Sequence, residues 1–293
     1  MASKFQVRSI SFPSRSHPST IRVEEELSKL KAWEFSLNTS SSSSSSSSIC
    51  FGLSGLEELY DCVDDLLKMA STQQVLSHHQ HEKFFENLLD GSVKLLDICG
   101  IAREVLVQTN EHVRALQSAL RRRKGDSTVV TSIASYLSFR KKTKKNAKKL
   151  IISLKQVDNN FNPSQLVEID DHLFAVIKVL REVCSINISI FQSLLLFLTI
   201  PSSKAKSSKW SLVSKLMHKG VVACEENQEN VHELDNVDVV LSKFEGSEFE
   251  KMKLAQKRLE TLEISINGLE SGLGSVFRQL IKTRTSLLNI ISQ

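Results

Sequence analysis

A ladder of apolar residues near the C-terminus constrains the fold of this chain more than any other feature. The apolar positions recur at alternating steps of three and four: Leu259, Leu262, Ile266, Leu269, Leu273, Val276, Leu280, Leu287 and Ile290, with Thr283 as the one polar position. This spacing keeps one stripe of a helix turned towards a neighbouring helix. It predicts helix-on-helix packing and says nothing about chemistry.

A second apolar stripe beside the ladder favours a bundle over a two-stranded coiled coil. Its members are Phe277, Ile281, Leu288 and Ile291. Together the two stripes make the last turns too broadly apolar for a single seam. Gly268, Gly272 and Gly274 lie among the ladder positions, and interior glycines weaken a freestanding helix. We therefore predict that this helix closes an intramolecular bundle and is packed on two sides.

The composition supports an all-α fold. The chain has 293 residues, 41% of them hydrophobic, which is enough for a sizeable core. Only 4 Pro and 10 Gly occur, so long uninterrupted helices are favoured. No hairpin dipeptide separates alternating apolar runs. We predict an elongated helical bundle of about five to seven helices, preceded by a disordered N-terminal arm.

Composition along the chain predicts four segments. They are a disordered, basic, Ser-rich arm (1–20), an N-terminal helix (21–38), a Ser-rich linker (39–50) and a helical bundle domain (51–293). Ser54 and Glu57 form a capping-box pattern, which predicts a helix start near Leu56. Gly91 and Gly100 are expected to break the next helical stretch. The uncharged segment 183–203 is interpreted as a buried helix, because its dense apolar run is too short for a membrane span.

The arm carries a candidate phosphorylation-dependent site. Arg8 stands three residues before Ser11, and Pro13 follows two residues after it. This is the spacing that 14-3-3 proteins read once the serine is phosphorylated, since phosphate adds up to two negative charges to a flexible segment. The acid-free composition of the arm also fits a plastid transit peptide.

A strongly basic helix over residues 129–159 is the second candidate surface. Its cations are Arg140, Lys141, Lys142, Lys144, Lys145, Lys148 and Lys149, which we predict to occupy one arc of the helix. The opposite arc is predicted to be apolar and to join the core. Candidate partners are an anionic membrane surface, an acidic protein or calmodulin. Nucleic acid is disfavoured, because the aromatic residues lie on the apolar side.

Charge is distributed unevenly along the chain. Residues 121–155 hold twelve Lys and Arg against one acid, whereas residues 224–250 hold nine acids against one Lys. The asymmetry indicates either an intramolecular electrostatic match or two separate partner surfaces.

No pattern of residues indicates catalysis, a metal or a cofactor. His78, His79 and His81 lack a further ligand at metal-binding spacing. The five cysteines have no CxxC spacing, which favours buried thiols in a reducing compartment. No phosphate-binding glycine loop or nucleophile elbow is present in the sequence. We therefore predict a protein that is not an enzyme.

Six segments resemble the plant-specific family that includes the BYPASS-related proteins. They are VRSISFPSRSHP (7–18), LSGLEELYDCVDDLL (53–67), LLDGSVKLLDICG (88–100), LQSALRRR (116–123), WSLVSKLM (210–217) and LIKTRTSLLNI (280–290). The resemblance implies a helical protein tied to root and shoot development, without an assigned reaction. It supplies no catalytic residues, and it weighs against a cleaved transit peptide because the arm belongs to the pattern.

The sequence leads to a functional hypothesis with one alternative. We predict a non-enzymatic regulatory or adaptor phosphoprotein of plant development that acts through protein contacts, with 14-3-3 as a candidate partner. The alternative is a peripheral membrane protein of trafficking or lipid signalling, docked by the basic helix. Both place the protein in the cytoplasm or on a membrane surface, with a plastid location less favoured. The oligomeric state stays open.

Overall fold

The computed structural model describes residues 18–39, 45–78, 83–122, 126–160, 171–199, 233–243 and 249–292. Eight helices lie in these ranges: α1 (Pro18–Thr39), α2 (Ser46–Leu67), α3 (Ala70–His78), α4 (Lys83–Arg122), α5 (Asp126–Asn160), α6 (Asp171–Thr199), α7 (Glu233–Ser242) and α8 (Phe249–Ile291). The described residues contain no strand. The all-α prediction is confirmed, with one helix more than the expected range.

The two longest helices, α4 and α8, run antiparallel. Near one end Arg284 of α8 donates a hydrogen bond to the Leu89 carbonyl of α4. Near the other end Arg114 Nε lies 2.9 Å from Glu263 Oε1. The helices have 40 and 43 residues, which at about 1.5 Å per residue makes each roughly 60 Å long. This pair accounts for the elongated form of the bundle.

The C-terminal ladder is core, as predicted. Its apolar members from Leu259 to Ile290 are all at most 4% exposed. The prediction for the second stripe is wrong in part. Phe277 and Ile291 pack against the core, but Ile281 and Leu288 are 45% and 39% exposed. These two lie seven residues apart on one side of α8, which is therefore partly exposed.

Helix α2 packs against α1, α6 and α8. Glycines permit its closest approaches. A Cβ atom at Gly52 would lie 2.9 Å from the Trp33 ring of α1. A Cβ atom at Gly272 of α8 would lie 3.1 Å from the Cβ of Leu53. Real Cβ contacts are rarely this short, so a side chain at Gly52 would displace the Trp33 ring, and one at Gly272 would require Leu53 to shift by a few tenths of an ångström.

The start of α2 corrects the predicted linker. The helix begins at Ser46, with Ser45 as its N-cap accepting a hydrogen bond from the Ser48 amide at 3.2 Å. The Trp33 indole also donates to the Ser48 carbonyl at 3.0 Å. Residues 46–50 therefore belong to the bundle, and the capping box at Ser54 is not used. Any serine of the tract can cap a helix, and the contact with Trp33 selects the register.

Two further predictions concern helix continuity and membrane insertion. Gly91 and Gly100 do not interrupt the helix, because α4 runs through both. Leu194, Leu195 and Leu198 of α6 are at most 1% exposed, whereas Leu196 is 47% exposed, so the described part of segment 183–203 buries most of its apolar residues but keeps one exposed side. Among the helices that the structure describes, none is long and apolar enough to cross a bilayer.

Candidate functional site

Five lysines form the most strongly charged surface in the described part of the chain. Lys141, Lys142, Lys145, Lys148 and Lys149 are all exposed on the outer side of α5, and we call this surface the lysine face. Within the described ranges, no acidic side chain forms an ion pair with any of the five. Like charges at this spacing repel one another, and a nearby anion would relieve that repulsion.

The apolar side of α5 turns the lysine face towards solvent. Tyr136 and Leu154 are fully buried, and Ile133 and Ala147 are at most 8% exposed. This apolar arc packs against α4 and α6. Because the helix repeats every 3.6 residues, burial of one arc leaves the opposite arc in water. The predicted division of α5 into two arcs is therefore correct in outline.

Arg140 is the exception and corrects the predicted site. Its side chain is 2% exposed, so it cannot contribute to an anion-binding surface. Lys144 is only partly available, because its side chain is 22% exposed and its Nζ lies 2.9 Å from Asp238 Oδ2. The physical reason is that Arg140 follows Tyr136 by four residues and precedes Ala147 by seven. It occupies a position of the buried stripe.

Asp238 of α7 holds these residues in a buried junction. Arg140 Nε donates to Asp238 Oδ1 at 3.3 Å, and the Tyr136 hydroxyl donates to the same oxygen at 3.0 Å. Arg140 also donates from Nη1 to the Leu198 carbonyl at 3.2 Å. That carbonyl lies in the last turn of α6, where helix carbonyls lack partners within the helix. The junction therefore ties α5, α6 and α7 together.

The electrostatics of the junction favour a structural role. Burial raises the pKa of Tyr136 well above its usual range, and the neighbouring Asp238 carboxylate adds to the shift. Tyr136 is thus a neutral hydrogen-bond donor at physiological pH. The junction also resolves part of the charge asymmetry, because an acid of segment 224–250 neutralises cations of segment 121–155 inside one chain.

Asp238 was not identified from the sequence, although a signal for a buried partner was present. Tyr136, Arg140, Thr143 and Ala147 follow the same three-four spacing as the C-terminal ladder. A charged residue in such a series needs an opposite charge in the core. The partner could not be chosen in advance, since nine acids occur in the segment that supplies it.

The cysteines and the possible metal ligands are weaker candidates for a functional site. Burial raises the pKa of the Cys99 and Cys184 thiols to about 12, which makes them poor nucleophiles. Among the described residues, no group of three or more His, Cys, Asp or Glu is arranged to hold a metal. His79 and His81 lie outside the described residues. So do Arg8, Ser11 and Pro13, which leaves the arm site a prediction from sequence.

A cleft of about 420 Å³ lies between α1 and α6. Its walls include Leu27, Phe174 and Val179, together with Lys31 and Glu182. The two charged groups are already bonded to each other, with 2.9 Å between Lys31 Nζ and Glu182 Oε2. The carboxylate is thus committed to an ion pair, and we assign no chemistry to the cleft.

Fold and surface together define a helical bundle with an exposed cationic face. Residues 52–290 match the family model described as Protein BPS1. The match covers most of the chain and five of the six segments on which the resemblance rested, so the chain belongs to the BPS1 family. Segment 7–18 precedes the matched range. No curated protein and no solved structure matches the chain. Membership of this family fits a role in plant development.

Proposed function

We propose that this BPS1-family protein is a non-enzymatic regulatory protein of plant development that acts as an adaptor. The observation that carries the proposal is the lysine face, five exposed cations without an acidic partner in the described residues. A binding surface rather than a reaction centre is favoured, because the buried thiols Cys99 and Cys184 are held protonated by their raised pKa values.

The chemistry of the lysine face selects anionic partners. Lysines are flexible point charges without the planar fork of arginine, so they favour charge density over one fixed geometry. Nucleic acid fits poorly, because Tyr136 is buried and the Phe139 ring packs on His112 with 4.5 Å between centroids. An acidic protein and an anionic membrane share the required charge. The second partner would make this a peripheral membrane protein of trafficking or lipid signalling.

Reversing four charges of the lysine face tests the proposal. The variant K141E/K142E/K145E/K149E is expected to bind fluorescent poly-glutamate at least tenfold more weakly than the unchanged protein. Each exposed ion pair contributes about 0.2–1 kcal/mol, and reversal adds repulsion. Fluorescence anisotropy of the full chain, titrated at low and at physiological ionic strength, measures the effect. The loss should shrink as salt screens the charges.

A matched variant separates the face from net charge alone. Lys94, Lys178, Lys253 and Lys257 are exposed on α4, α6 and α8. Reversing these four to glutamate makes the same change in net charge and should leave most poly-glutamate affinity intact. Equal losses in the two variants would show that binding follows overall charge, and the lysine face would then have no special role.

The N-terminal arm supplies a second, phosphorylation-dependent contact in this proposal. A peptide of residues 4–18 phosphorylated at Ser11 is expected to bind 14-3-3 at least tenfold more tightly than the unphosphorylated peptide. The phosphate places up to two negative charges three residues after Arg8, for an arginine cluster to bind. Isothermal titration calorimetry measures both peptides. A third peptide with Arg8→Ala should lose part of the gain, and equal affinities of the first two would contradict the arm site.

A further inference from the structure

One large aliphatic side chain stands within the cationic surface of α5. Ile152 is 60% exposed although α5 has a buried apolar arc available on its other side. Lys148 precedes it by four residues, Lys149 by three, and Lys155 follows by three. Residues three and four apart are neighbours on a helix surface. All three lysines are exposed, so they surround Ile152 on the outer side of α5.

A lone exposed isoleucine is ordinary, but its lysine neighbours change the chemistry of the patch. Lysine side chains have four-carbon stems that lie along apolar surface while the ammonium stays in water. The stems of Lys148 and Lys149 therefore extend the apolar patch around Ile152, and their charges stand at its edge. An amphipathic surface of this kind has apolar and cationic groups at the same depth.

We infer that this patch is a docking site for an anionic phospholipid membrane, with Ile152 inserted below the headgroups. The inference rests on the proposed function and names the partner of the lysine face. The phosphates neutralise the lysines, and the boundary of the acyl region takes the isoleucine. An acidic protein surface satisfies the charges but leaves Ile152 without an apolar partner. A membrane supplies phosphates for the lysines and an apolar layer for Ile152.

The form of the surface also predicts which lipids bind. The lysines from residue 141 to residue 155 span roughly 20 Å along a helix at 1.5 Å per residue. They are exposed along one outward helix face. Binding should therefore follow the density of negative charge in the membrane rather than the shape of one headgroup.

Vesicle sedimentation of the full-length protein tests the inference. The vesicles are phosphatidylcholine alone, and phosphatidylcholine with 30% phosphatidylserine. The unchanged protein should bind only the anionic vesicles. K141E/K142E/K145E/K149E should lower the partition coefficient by a factor on the order of 10² to 10³, since each lysine near the surface contributes about fivefold. The matched reversal at Lys94, Lys178, Lys253 and Lys257 should retain most binding.

The isoleucine separates lipid docking from simple charge attraction. Ile152→Ala should lower the partition coefficient about tenfold, because each buried methylene contributes about fourfold and the insertion is partial. It should leave poly-glutamate affinity unchanged. Ile264→Ala is the control, since Ile264 is 74% exposed on α8, and it should change neither measurement. Both replacements are on the surface, and circular dichroism checks that the variants keep the helix content of the unchanged protein.

The outcomes distinguish the inference from the proposed function. Poly-glutamate binding through the lysine face without vesicle binding would overturn membrane docking and leave an acidic protein as the partner. Vesicle binding that Ile152→Ala leaves unaltered would overturn the insertion of Ile152. Absence of both kinds of binding would overturn the proposed function as well.

Discussion

Replacing Asp238 by alanine is expected to lower the free energy of unfolding by about 3–5 kcal/mol. The replacement leaves the Arg140 guanidinium buried without a counter-charge, since that side chain is only 2% exposed. It also removes the acceptor of the Tyr136 hydroxyl. Loss of the counter-charge at Lys144 is less destabilising, because its side chain is 22% exposed and can turn into solvent. Urea denaturation followed by circular dichroism measures the change.

The control for this prediction is an exposed acid outside the buried junction. Asp97 is exposed on α4, and Asp97→Ala should change stability by no more than about 0.5 kcal/mol. Lys144→Ala should fall between the two variants. A cost below about 1 kcal/mol for Asp238→Ala would contradict the buried junction.

A double replacement tests whether the junction acts as a pair. Asp238→Leu together with Arg140→Met removes both charges, so the double variant should be less destabilised than the sum of the single variants. Some cost should remain, because Arg140 also donates to the Leu198 carbonyl at the end of α6. Additive costs would show that the two side chains do not interact.

Gly52→Ala is expected to destabilise the bundle by about 1–3 kcal/mol, although alanine normally strengthens a helix. The new Cβ would lie 2.9 Å from the Trp33 ring. That ring cannot easily move aside, because its Nε1 donates hydrogen bonds to the carbonyl and the hydroxyl of Ser48. Helices α1 and α2 must therefore separate. Urea denaturation of the full chain again gives the measurement.

Gly274 provides the matched control on another helix. A Cβ there would lie 3.8 Å from Arg278 Nη1, which is an ordinary contact. Gly274→Ala should therefore stabilise the protein by up to about 1 kcal/mol, as expected for a helix interior. The double variant Gly52→Ala with Trp33→Leu should show a cost that is less than additive, because the smaller side chain relieves the clash. Stabilisation by Gly52→Ala alone would contradict the described packing of α1 on α2.

The two sides of α5 have separate consequences for experiments on binding. Its inner side carries Tyr136 and Arg140, which stabilise the fold through Asp238. Its outer side carries the lysine face. Variants for binding studies should leave Arg140 and Lys144 unchanged, because both side chains pair with Asp238 and their replacement would lower stability.

Much of the fold could be predicted because helical periodicity is local. The ladder from Leu259 to Ile290 lies within one helix, so its spacing was enough to predict its burial. The two arcs of α5 followed in the same way. The start of α2 did not, because a serine tract offers many equivalent caps. The contact of Ser48 with Trp33, fifteen residues away, decided among them.

In the candidate site, too, the sequence predicted some features and contacts between helices decided the others. Sequence alone placed a dense group of lysines on an amphipathic helix, and five of them are exposed as predicted. It placed Arg140 among them, whereas the structure buries that side chain against an acid 98 residues away in the chain. Spacing within one helix assigns a residue to a face. Which charges remain in water depends on groups from other helices, and tertiary packing alone brings those groups together.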